Sequence, residues 1–262
     1  MKRKIEDLSR FNNIGLPMED NKEGWVFYVV SLNRLVDRKT QIIKSLLPFI
    51  GKVSIFFYDA IDWKDYSLED LNSEGYDAYH DWKLSDTGNM YWDRELKLGE
   101  LACSIGHYNI WRHIKENNFK YSLILEDDSN FQLENFLSAL NTSYSFLSNN
   151  NCDIFYISSN SNTEVKEFKP GINICGYEYN THAYIVTLEG ANKIINSGLK
   201  ENLIPADEFL SCTFFNHPRE DLRNLYSAKN LVAYKLADNT LIRQGPTEDL
   251  DHSDIFGSTN IK

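Results

Sequence analysis

The chain has 262 residues, of which 42% are hydrophobic and 25% charged, so its composition is globular rather than disordered. Its 38 acidic and 27 basic side chains give a formal net charge of −11, which argues against a non-specific nucleic-acid binder because such a protein needs a basic surface. No apolar stretch reaches membrane-spanning length, and the basic N-terminus lacks the apolar core of a secretory signal.

The first predicted elements form a strand–helix–strand unit. Residues 25–31 are β-branched and aromatic, which predicts a strand that ends in Ser31-Leu32-Asn33-Arg34. A helical pattern follows, and residues 53–57 predict a second strand that is closed by Asp59. This order predicts a parallel βαβ unit with Asn33 and Asp59 at its ligand-binding edge.

The later elements alternate between helices and strands. Residues 62–97 show no clear period and predict a surface excursion, which is often functional. Elements are then predicted as helices over residues 99–116, 132–147 and 189–196, a short helix opened by Pro205-Ala206-Asp207-Glu208, and strands over residues 121–126, 153–157, 183–187 and 231–234.

The strand over residues 121–126 ends in three consecutive acids. Its run of Leu123, Ile124 and Leu125 predicts burial on both faces. Glu126, Asp127 and Asp128 repel one another and resist desolvation, so solvent, an Arg or a divalent cation must offset their charge. Mn²⁺ or Mg²⁺ prefers such oxygens and would also hold a diphosphate, at the sheet edge where ligands bind. The alternative is a solvated acidic turn.

Several segments together resemble glycosyltransferase family 25, which includes bacterial lipooligosaccharide β-galactosyltransferases and procollagen galactosyltransferases. The matching segments are 30–38, 57–61, 99–107, Leu125-Glu126-Asp127-Asp128, 183–191, 205–210, and Gln244 with Ser253-Asp254-Ile255. Two positions depart from the family pattern, since Ala102 replaces a Gly and Gly106 replaces a Ser. The resemblance covers about residues 25–256 and implies one domain there, between an N-terminal extension (1–24) and a C-terminal tail (257–262).

The resemblance implies a GT-A fold, which is an α/β nucleotide-sugar-binding fold with a mostly parallel central sheet flanked by helices. It also implies inverting transfer of a hexose, often galactose, from a UDP-sugar donor, usually with Mn²⁺ or else Mg²⁺. In this single displacement a base removes the proton of the acceptor hydroxyl while UDP leaves on the opposite side. The acceptor stays open between a glycan and a hydroxylysine of a collagen-like protein, the latter favoured by segments 183–191 and 205–210.

The resemblance suggests roles for the acids at the end of the strand and for those at the start of the short helix. Asp128 is expected to bind metal, Glu126 metal or ribose, and Asp127 the donor sugar, while His252 is the candidate third metal ligand. Asp207 is the first choice for the base and Glu208 the second. The alternative is that both helix-start acids serve only the helix dipole.

The remaining candidates concern the donor. Ser31, Leu32, Asn33, Arg34 and Arg38 are expected to bind uridine and diphosphate, since Arg suits phosphate oxygens. Helix capping and surface charge are the alternative for these residues. The weaker donor candidates are Asp59 for uracil or ribose, Glu100 and His107 beside the sugar, and Gln244.

Four scattered cysteines without a CxxC pair indicate buried free thiols and a reducing compartment. Because no secretory signal or ER-retention ending is recognised, we expect a cytoplasmic protein without an integral membrane span. Two other functions compete with transfer. One is a catalytically inactive UDP-sugar-binding module, suggested by Ala102 and Gly106. The other is a metal-dependent phosphotransferase or nuclease, which would need the Gly-rich phosphate loop or basic track that the sequence lacks.

Overall fold

The structure is a computed structural model that describes residues 3–18, 24–244 and 260–261. Its strands are β1 (Phe11–Asn13), β2 (Trp25–Ser31), β3 (Ser54–Asp59), β4 (Tyr121–Glu126), β5 (Ser129–Phe131), β6 (Ile154–Ser161), β7 (Lys166–Lys169), β8 (Ile172–Ile174), β9 (Glu178–Thr187), β10 (Ala233–Leu236) and β11 (Ile242–Gln244). Its α-helices are α1 (Val36–Leu46), α2 (Leu68–Ser73), α3 (Leu98–Asn117), α4 (Leu133–Leu147), α5 (Leu188–Ile195), α6 (Ala206–Phe214) and α7 (Glu220–Leu225).

The central sheet has the strand order β1-β3-β2-β4-β9-β6-β10-β8-β7. β2 is parallel to both β3 and β4, which confirms the βαβ unit. In the register of these strands, Ser31 lies opposite Asp59, and Val30 lies opposite Glu126. The carboxyl ends of three neighbouring strands therefore meet at one edge of the sheet.

The expectation of a mostly parallel sheet is correct only in part, because the sheet is mixed. β9 runs antiparallel between β4 and β6, and β1 and β8 also run antiparallel to their neighbours. The connection from β6 to β9 carries the short strands β7 and β8 and no helix. A β9 strand parallel to β6 would need a crossover connection, which is usually a helix. The connection here contains no helix, and β9 pairs antiparallel with β6.

Helices cover both faces of the sheet, and β4 is buried between them. Leu123 and Leu125 pack in the core cluster that contains Phe136 of α4 and Ile42 of α1, whereas Ile124 packs in the cluster that contains α3. This confirms burial on both faces. Full burial of such a side chain contributes about 1.5–3 kcal/mol, so the core fixes the place where the acidic end of β4 emerges.

The N-terminal segment, expected as an extension, packs against the rest of the protein. β1 pairs antiparallel with β3, and Ile5 is fully buried. The Glu6 carboxylate accepts hydrogen bonds from Lys200 at 2.8 Å and Tyr76 at 2.9 Å, and also from Arg112. Residues 3–18 therefore complete one edge of the sheet. None of the helices in the described part of the chain combines the length and apolar character needed to cross a membrane.

Candidate active site

The acidic turn after β4 is tied to its neighbouring strands. The Asp127 N–H donates to the Val30 carbonyl at 3.1 Å, which fixes the turn beside the end of β2. After Asp128 the chain enters β5, whose Ser129 lies opposite Gln244 of β11 in the strand register. The backbone of Gln244 therefore lies beside the acidic motif, and its role at the donor site stays a prediction. His252, the expected third metal ligand, lies outside the described residues.

Glu126 is held by residues of β9 and α3. The Thr181 hydroxyl donates to Glu126 Oε1 at 2.7 Å, and His107 Nε2 lies 3.5 Å from the same oxygen. Burial acts to raise the pKa of Glu126, but His107 and Thr181 outweigh it and lower this pKa below its usual value. The side chain is therefore ionised at neutral pH.

Asp127 differs from Glu126 in the direction of its pKa shift. Burial raises its pKa to about 7; the Ser31 hydroxyl and Arg38 oppose this rise, while Asp128 and Glu126 add to it. Arg38 Nη1 lies 3.8 Å from Asp127 Oδ1. Among the described residues, Asp127 Oδ2 is buried without a hydrogen-bond partner. The predicted donor residues Ser31 and Arg38 thus reach the acidic motif, but one Arg does not neutralise it.

Asp207 also belongs to this group of charges. It lies in the first turn of α6, where Oδ2 accepts the Asn180 N–H at 3.1 Å and Oδ1 accepts the Glu208 N–H at 2.9 Å. Burial raises its pKa to about 6, and the charges of Glu208 and Glu126 add to the rise. We call Glu126, Asp127, Asp128 and Asp207 the acid cluster.

Glu208 has a different environment from its neighbour. Its Oε1 accepts a hydrogen bond from the Tyr177 hydroxyl, and its Oε2 lies 2.9 Å from His217 Nε2. His217 Nδ1 accepts the Arg219 N–H at 3.1 Å, so the ring proton is assigned to Nε2, which donates to Glu208. Both Glu208 oxygens are therefore engaged by side chains.

Cys103 and His107 lie one turn apart on α3, facing the acid cluster. Burial of the thiol raises the pKa of Cys103, and the carboxylates of Glu126, Asp207, Glu100 and Asp128 raise it further. His107 is fully buried, and its Nδ1 is 2.8 Å from the Tyr184 hydroxyl, which also accepts from Trp111 Nε1 at 3.1 Å. His107, predicted beside the donor sugar, therefore contacts Glu126 from within the core.

A cleft of about 550 Å³ opens after the ends of β2 and β3, and we name it the nucleotide cleft after the role that the sequence predicts for Asn33, Arg34 and Asp59. Its lining consists of Arg3, Arg10, Asn33, Arg34, Asp59, Ala60, Asp62, Asp65 and Tyr66. Arg34 Nε is 2.5 Å from Asp62 Oδ2, and Arg3 Nη1 is 2.8 Å from Asp59 Oδ2. The structure thus brings together three predicted donor residues, Asn33, Arg34 and Asp59, and adds two arginines from the N-terminal segment.

Two predicted donor residues have local structural roles. Glu100 accepts from both terminal nitrogens of Arg94, at 3.0 and 2.5 Å, and from the Lys97 N–H at 2.8 Å. These bonds cap the start of α3, where a carboxylate also suits the helix dipole. The Leu32 carbonyl accepts the Leu35 N–H at 2.9 Å and forms the turn into α1.

Sequence analysis missed several residues around the acids. Thr181 and His182 come just before the predicted strand at residue 183, and only the antiparallel direction of β9 brings them beside the end of β4. Burial lowers the pKa of His182, and the Glu126 charge partly restores it. Tyr177 lies 31 residues before Glu208 and His217 nine residues after it, and no local pattern connects either of them with Glu208. For Cys103 the sequence predicts only a buried free thiol and no contact with the acids.

Residues 25–210 match the profile of "Glycosyltransferase family 25 (LPS biosynthesis protein)". The chain belongs to glycosyltransferase family 25. Within this family, procollagen galactosyltransferase 1-A of Xenopus laevis is 27% identical over 241 residues, covering 88% of this chain and 38% of that protein. Human procollagen galactosyltransferase 2 is 26% identical over 231 residues, covering 84% of this chain and 35% of that protein.

A human protein named inactive glycosyltransferase 25 family member 3 is similar to the same degree. It is 29% identical over 215 residues, covering 79% of this chain and 34% of that protein. The chain therefore spans little more than a third of the length of these relatives. The crystal structure of apo mouse xyloside xylosyltransferase 1 aligns with 82% of this chain and 85% of that one, at 12% identity and a TM-score of 0.33, too low to establish a common fold.

The comparisons confirm the family and correct the expected location. Two of the three relatives reported above are procollagen galactosyltransferases, which are enzymes of the secretory route rather than of the cytoplasm. The expectation of a cytoplasmic protein is therefore wrong. It was drawn from the ends and cysteines of a chain that spans about a third of its relatives, and such ends carry no information on location.

Proposed function

We propose that the chain is a UDP-sugar-dependent hexosyltransferase of the GT-A type, with UDP-galactose as donor. The observation that carries this proposal is the position of the acid cluster. It adjoins the end of β2, the residues just after β2 line the nucleotide cleft, and it includes Asp207 at the start of α6. A nucleotide-sugar donor and a catalytic base would require this arrangement. The nucleoside needs a polar cleft, the diphosphate and sugar need an acidic edge that can hold a metal, and the proton of the acceptor needs a further carboxylate.

The donor would lie with its uridine in the nucleotide cleft. Asn33 and Asp59 offer hydrogen-bonding groups to uracil or ribose, and Arg34 offers a planar fork for phosphate oxygens. Arg38 lies between this cleft and the acidic motif through its contact with Asp127. Asp127, with one oxygen lacking a protein partner among the described residues, is suited to accept a hydrogen bond from the donor sugar.

The acid cluster fits a hard divalent cation. Its ligands would be carboxylate oxygens. Burial is the main cause of the raised pKa values of Asp127 and Asp207, and the neighbouring carboxylates raise them further, so a cation there would offset the repulsion between these buried charges. We propose Glu126 and Asp128 as the ligands of Mn²⁺ or Mg²⁺, with His252 as the third. When bound, the metal would stabilise the negative charge that develops on the departing diphosphate.

Asp207 is the better candidate for the base. Its pKa of about 6 leaves it ionised at neutral pH yet basic enough to take a proton from an acceptor hydroxyl. Glu208 already accepts hydrogen bonds from Tyr177 and His217. One of these bonds would have to break before a Glu208 oxygen could take the proton of the acceptor hydroxyl. We assign Glu208 to holding the start of α6 in place. Transfer with one base and no protein nucleophile would invert the anomeric carbon.

The acceptor we propose is a hydroxylysine of a collagen-like chain. Two of the relatives above are named procollagen galactosyltransferases, and the segment that resembles that branch most carries Asp207. A bacterial-type glycan acceptor is the second candidate. Assays of hydroxylysine-containing collagen-like peptides against free saccharides, each with UDP-galactose, would separate the two.

The donor site is tested first by thermal unfolding with UDP, with Mn²⁺, and with both. A ligand at about 100 times its Kd stabilises the folded state by about 2.7 kcal/mol, which gives a clear shift in Tm. We expect UDP to stabilise the wild type only with Mn²⁺, and Asp128→Ala to abolish this shift. Glu167→Ala, an exposed residue on the distant β7, is the matched control and should keep the shift. No shift in the wild type would overturn the proposal.

An inactive UDP-sugar-binding module is the second candidate function. The human inactive relative matches the chain as well as the named galactosyltransferases do, so identity does not separate the two. Gly106, one of the two departures from the family pattern, lies on α3. A Cβ at this position would lie 3.5 Å from Tyr58 and 3.9 Å from Val30, which are ordinary contacts. The space around Gly106 would therefore also accept the Ser of the family pattern. UDP and Mn²⁺ binding without hydrolysis or transfer of UDP-galactose would favour the inactive module.

A further inference from the structure

We infer that Cys103, His107 and Glu126 form a second metal site, which binds a borderline divalent ion of the Zn²⁺ type. The thiol sulfur, an imidazole nitrogen and a carboxylate oxygen of these residues all lie within 4.8 Å of one another. Cys103 and His107 are four residues apart on α3, so they project from the same face of the helix. Glu126 reaches them from the end of β4.

His107 provides the independent sign of a ligand. Its ring is fully buried, and Nε2 makes no hydrogen bond within the part of the chain that the structure describes. The 3.5 Å separation from Glu126 Oε1 is too long for a good hydrogen bond, yet it aims the nitrogen into the triad. A buried polar nitrogen without a partner is costly, and a metal ion would satisfy it.

The other ring nitrogen is already held in the way that metal ligands are. His107 Nδ1 lies 2.8 Å from the Tyr184 hydroxyl, and Tyr184 is fixed by Trp111. Such an outer partner sets the orientation and tautomer of a ligating imidazole. The ring is therefore preorganised with Nε2 toward Cys103 and Glu126.

The donor atoms decide which metal is expected. Sulfur and nitrogen together favour Zn²⁺ or a similar ion, whereas Mn²⁺ and Mg²⁺ prefer oxygen ligands alone. Three protein ligands leave a fourth position open, as in reactive rather than purely structural zinc sites. Because Glu126 belongs to both sites, an ion in the triad would withdraw one carboxylate from the acid cluster.

Co²⁺ is the probe for this site, because its sulfur-to-metal charge-transfer absorption reports a thiolate ligand directly. We expect one equivalent of Co²⁺ to give this band in the wild type and Zn²⁺ to displace it. Cys103→Ser should abolish the band. Cys152→Ser, a buried thiol that bonds the Ile154 carbonyl, is the matched control and should retain it. The absence of the band in the wild type, or its persistence in Cys103→Ser, would overturn the inference.

A second variant separates metal binding from loss of folding. Tyr184→Phe removes the hydroxyl that orients His107 and also accepts from Trp111 Nε1, and loss of such an outer partner weakens metal binding by about 10–100-fold. We expect the competition Kd for Zn²⁺ to rise by this factor while far-UV circular dichroism is unchanged. An unchanged Kd would contradict the preorganised site. These measurements use no UDP, so they succeed or fail independently of the proposed transferase activity.

Discussion

The acid cluster and the nucleotide cleft are adjacent at one sheet edge, but they differ in how far their carboxylates are paired with basic side chains. In the cleft, Asp59 is paired with Arg3 and Asp62 with Arg34, at 2.8 and 2.5 Å. In the cluster, Arg38 lies 3.8 Å from Asp127, and burial raises the pKa of Asp127 to about 7. The cleft is therefore neutralised in advance, whereas the cluster is short of positive charge.

This difference indicates how each region would respond to a ligand. In the cleft, a nucleotide phosphate would bind an arginine only by displacing the carboxylate that already pairs with it. The affinity for the nucleotide would therefore depend on the difference in free energy between an arginine–phosphate pair and an arginine–carboxylate pair. In the cluster, a cation would relieve repulsion that already exists, so its binding would stabilise the fold directly. Removing charges in the two regions should therefore have effects of different size and sign.

The largest expected effect comes from Asp207, the proposed base in the acid cluster. Loss of a general base typically costs about 10²–10⁴-fold in rate. We expect Asp207→Asn to lower kcat for UDP-galactose transfer by this amount, with the stabilisation by UDP and Mn²⁺ retained.

Glu208→Gln is the comparison variant, because its single side-chain oxygen can still accept from Tyr177 or from His217, while the other hydrogen bond is lost. It should cost much less in kcat than Asp207→Asn. If Glu208→Gln were the more damaging change, the roles assigned to the two acids would be reversed.

The acid cluster should also make stability depend on pH. The pKa of Asp127 rises from 3.8 unfolded to about 7 folded, so between these values the folded state holds a proton that the unfolded state has lost. Stability is therefore highest below about pH 4 for this group and falls as pH rises to about 7, by on the order of 4 kcal/mol. Asp127→Asn should remove this loss.

Urea denaturation in EDTA at pH 5 and pH 8 measures this effect. Relative to wild type, Asp127→Asn should gain stability between the two pH values, while Glu167→Gln, on an exposed strand, should not. When Mn²⁺ replaces EDTA in the buffer, the difference at pH 8 should become smaller, because a cation offsets the same charge. If the free energies of unfolding of the wild type and of Asp127→Asn differed by the same amount at both pH values, the pKa of Asp127 would not be raised by folding.

Sequence patterns predicted the regions that depend on local order along the chain. The composition of β2, the βαβ unit and the apolar run of β4 were enough to place Asn33, Asp59 and the acidic motif at one edge. Their strand bounds agree closely, since β2 covers residues 25–31 as expected. These features depend on strand propensity and on the handedness of crossover connections, both of which can be predicted from sequence.

The parts that sequence missed depend on contacts between distant segments. Nothing local indicates that β9 runs antiparallel beside β4, which is what brings Thr181 to Glu126. Arg3 reaches Asp59 across 56 residues, and His217 reaches Glu208 through a turn after α6. Side-chain partners of this kind decide which acid is engaged and which is strained, so the division between Asp207 and Glu208 could be seen only in the structure.

The smallest expected effect concerns the paired charges of the nucleotide cleft. Arg34 is held by Asp62, and both side chains are partly exposed, so their ion pair contributes about 0.2–1 kcal/mol. A phosphate that takes Arg34 must break this pair. Asp62→Asn should therefore tighten UDP binding by up to about fivefold at a stability cost below about 1 kcal/mol, whereas Arg34→Ala should weaken binding. Calorimetric titration of UDP with Mn²⁺ measures both. Weaker binding by Asp62→Asn would mean that Asp62 itself contacts the nucleotide and that the cleft is not neutralised in advance.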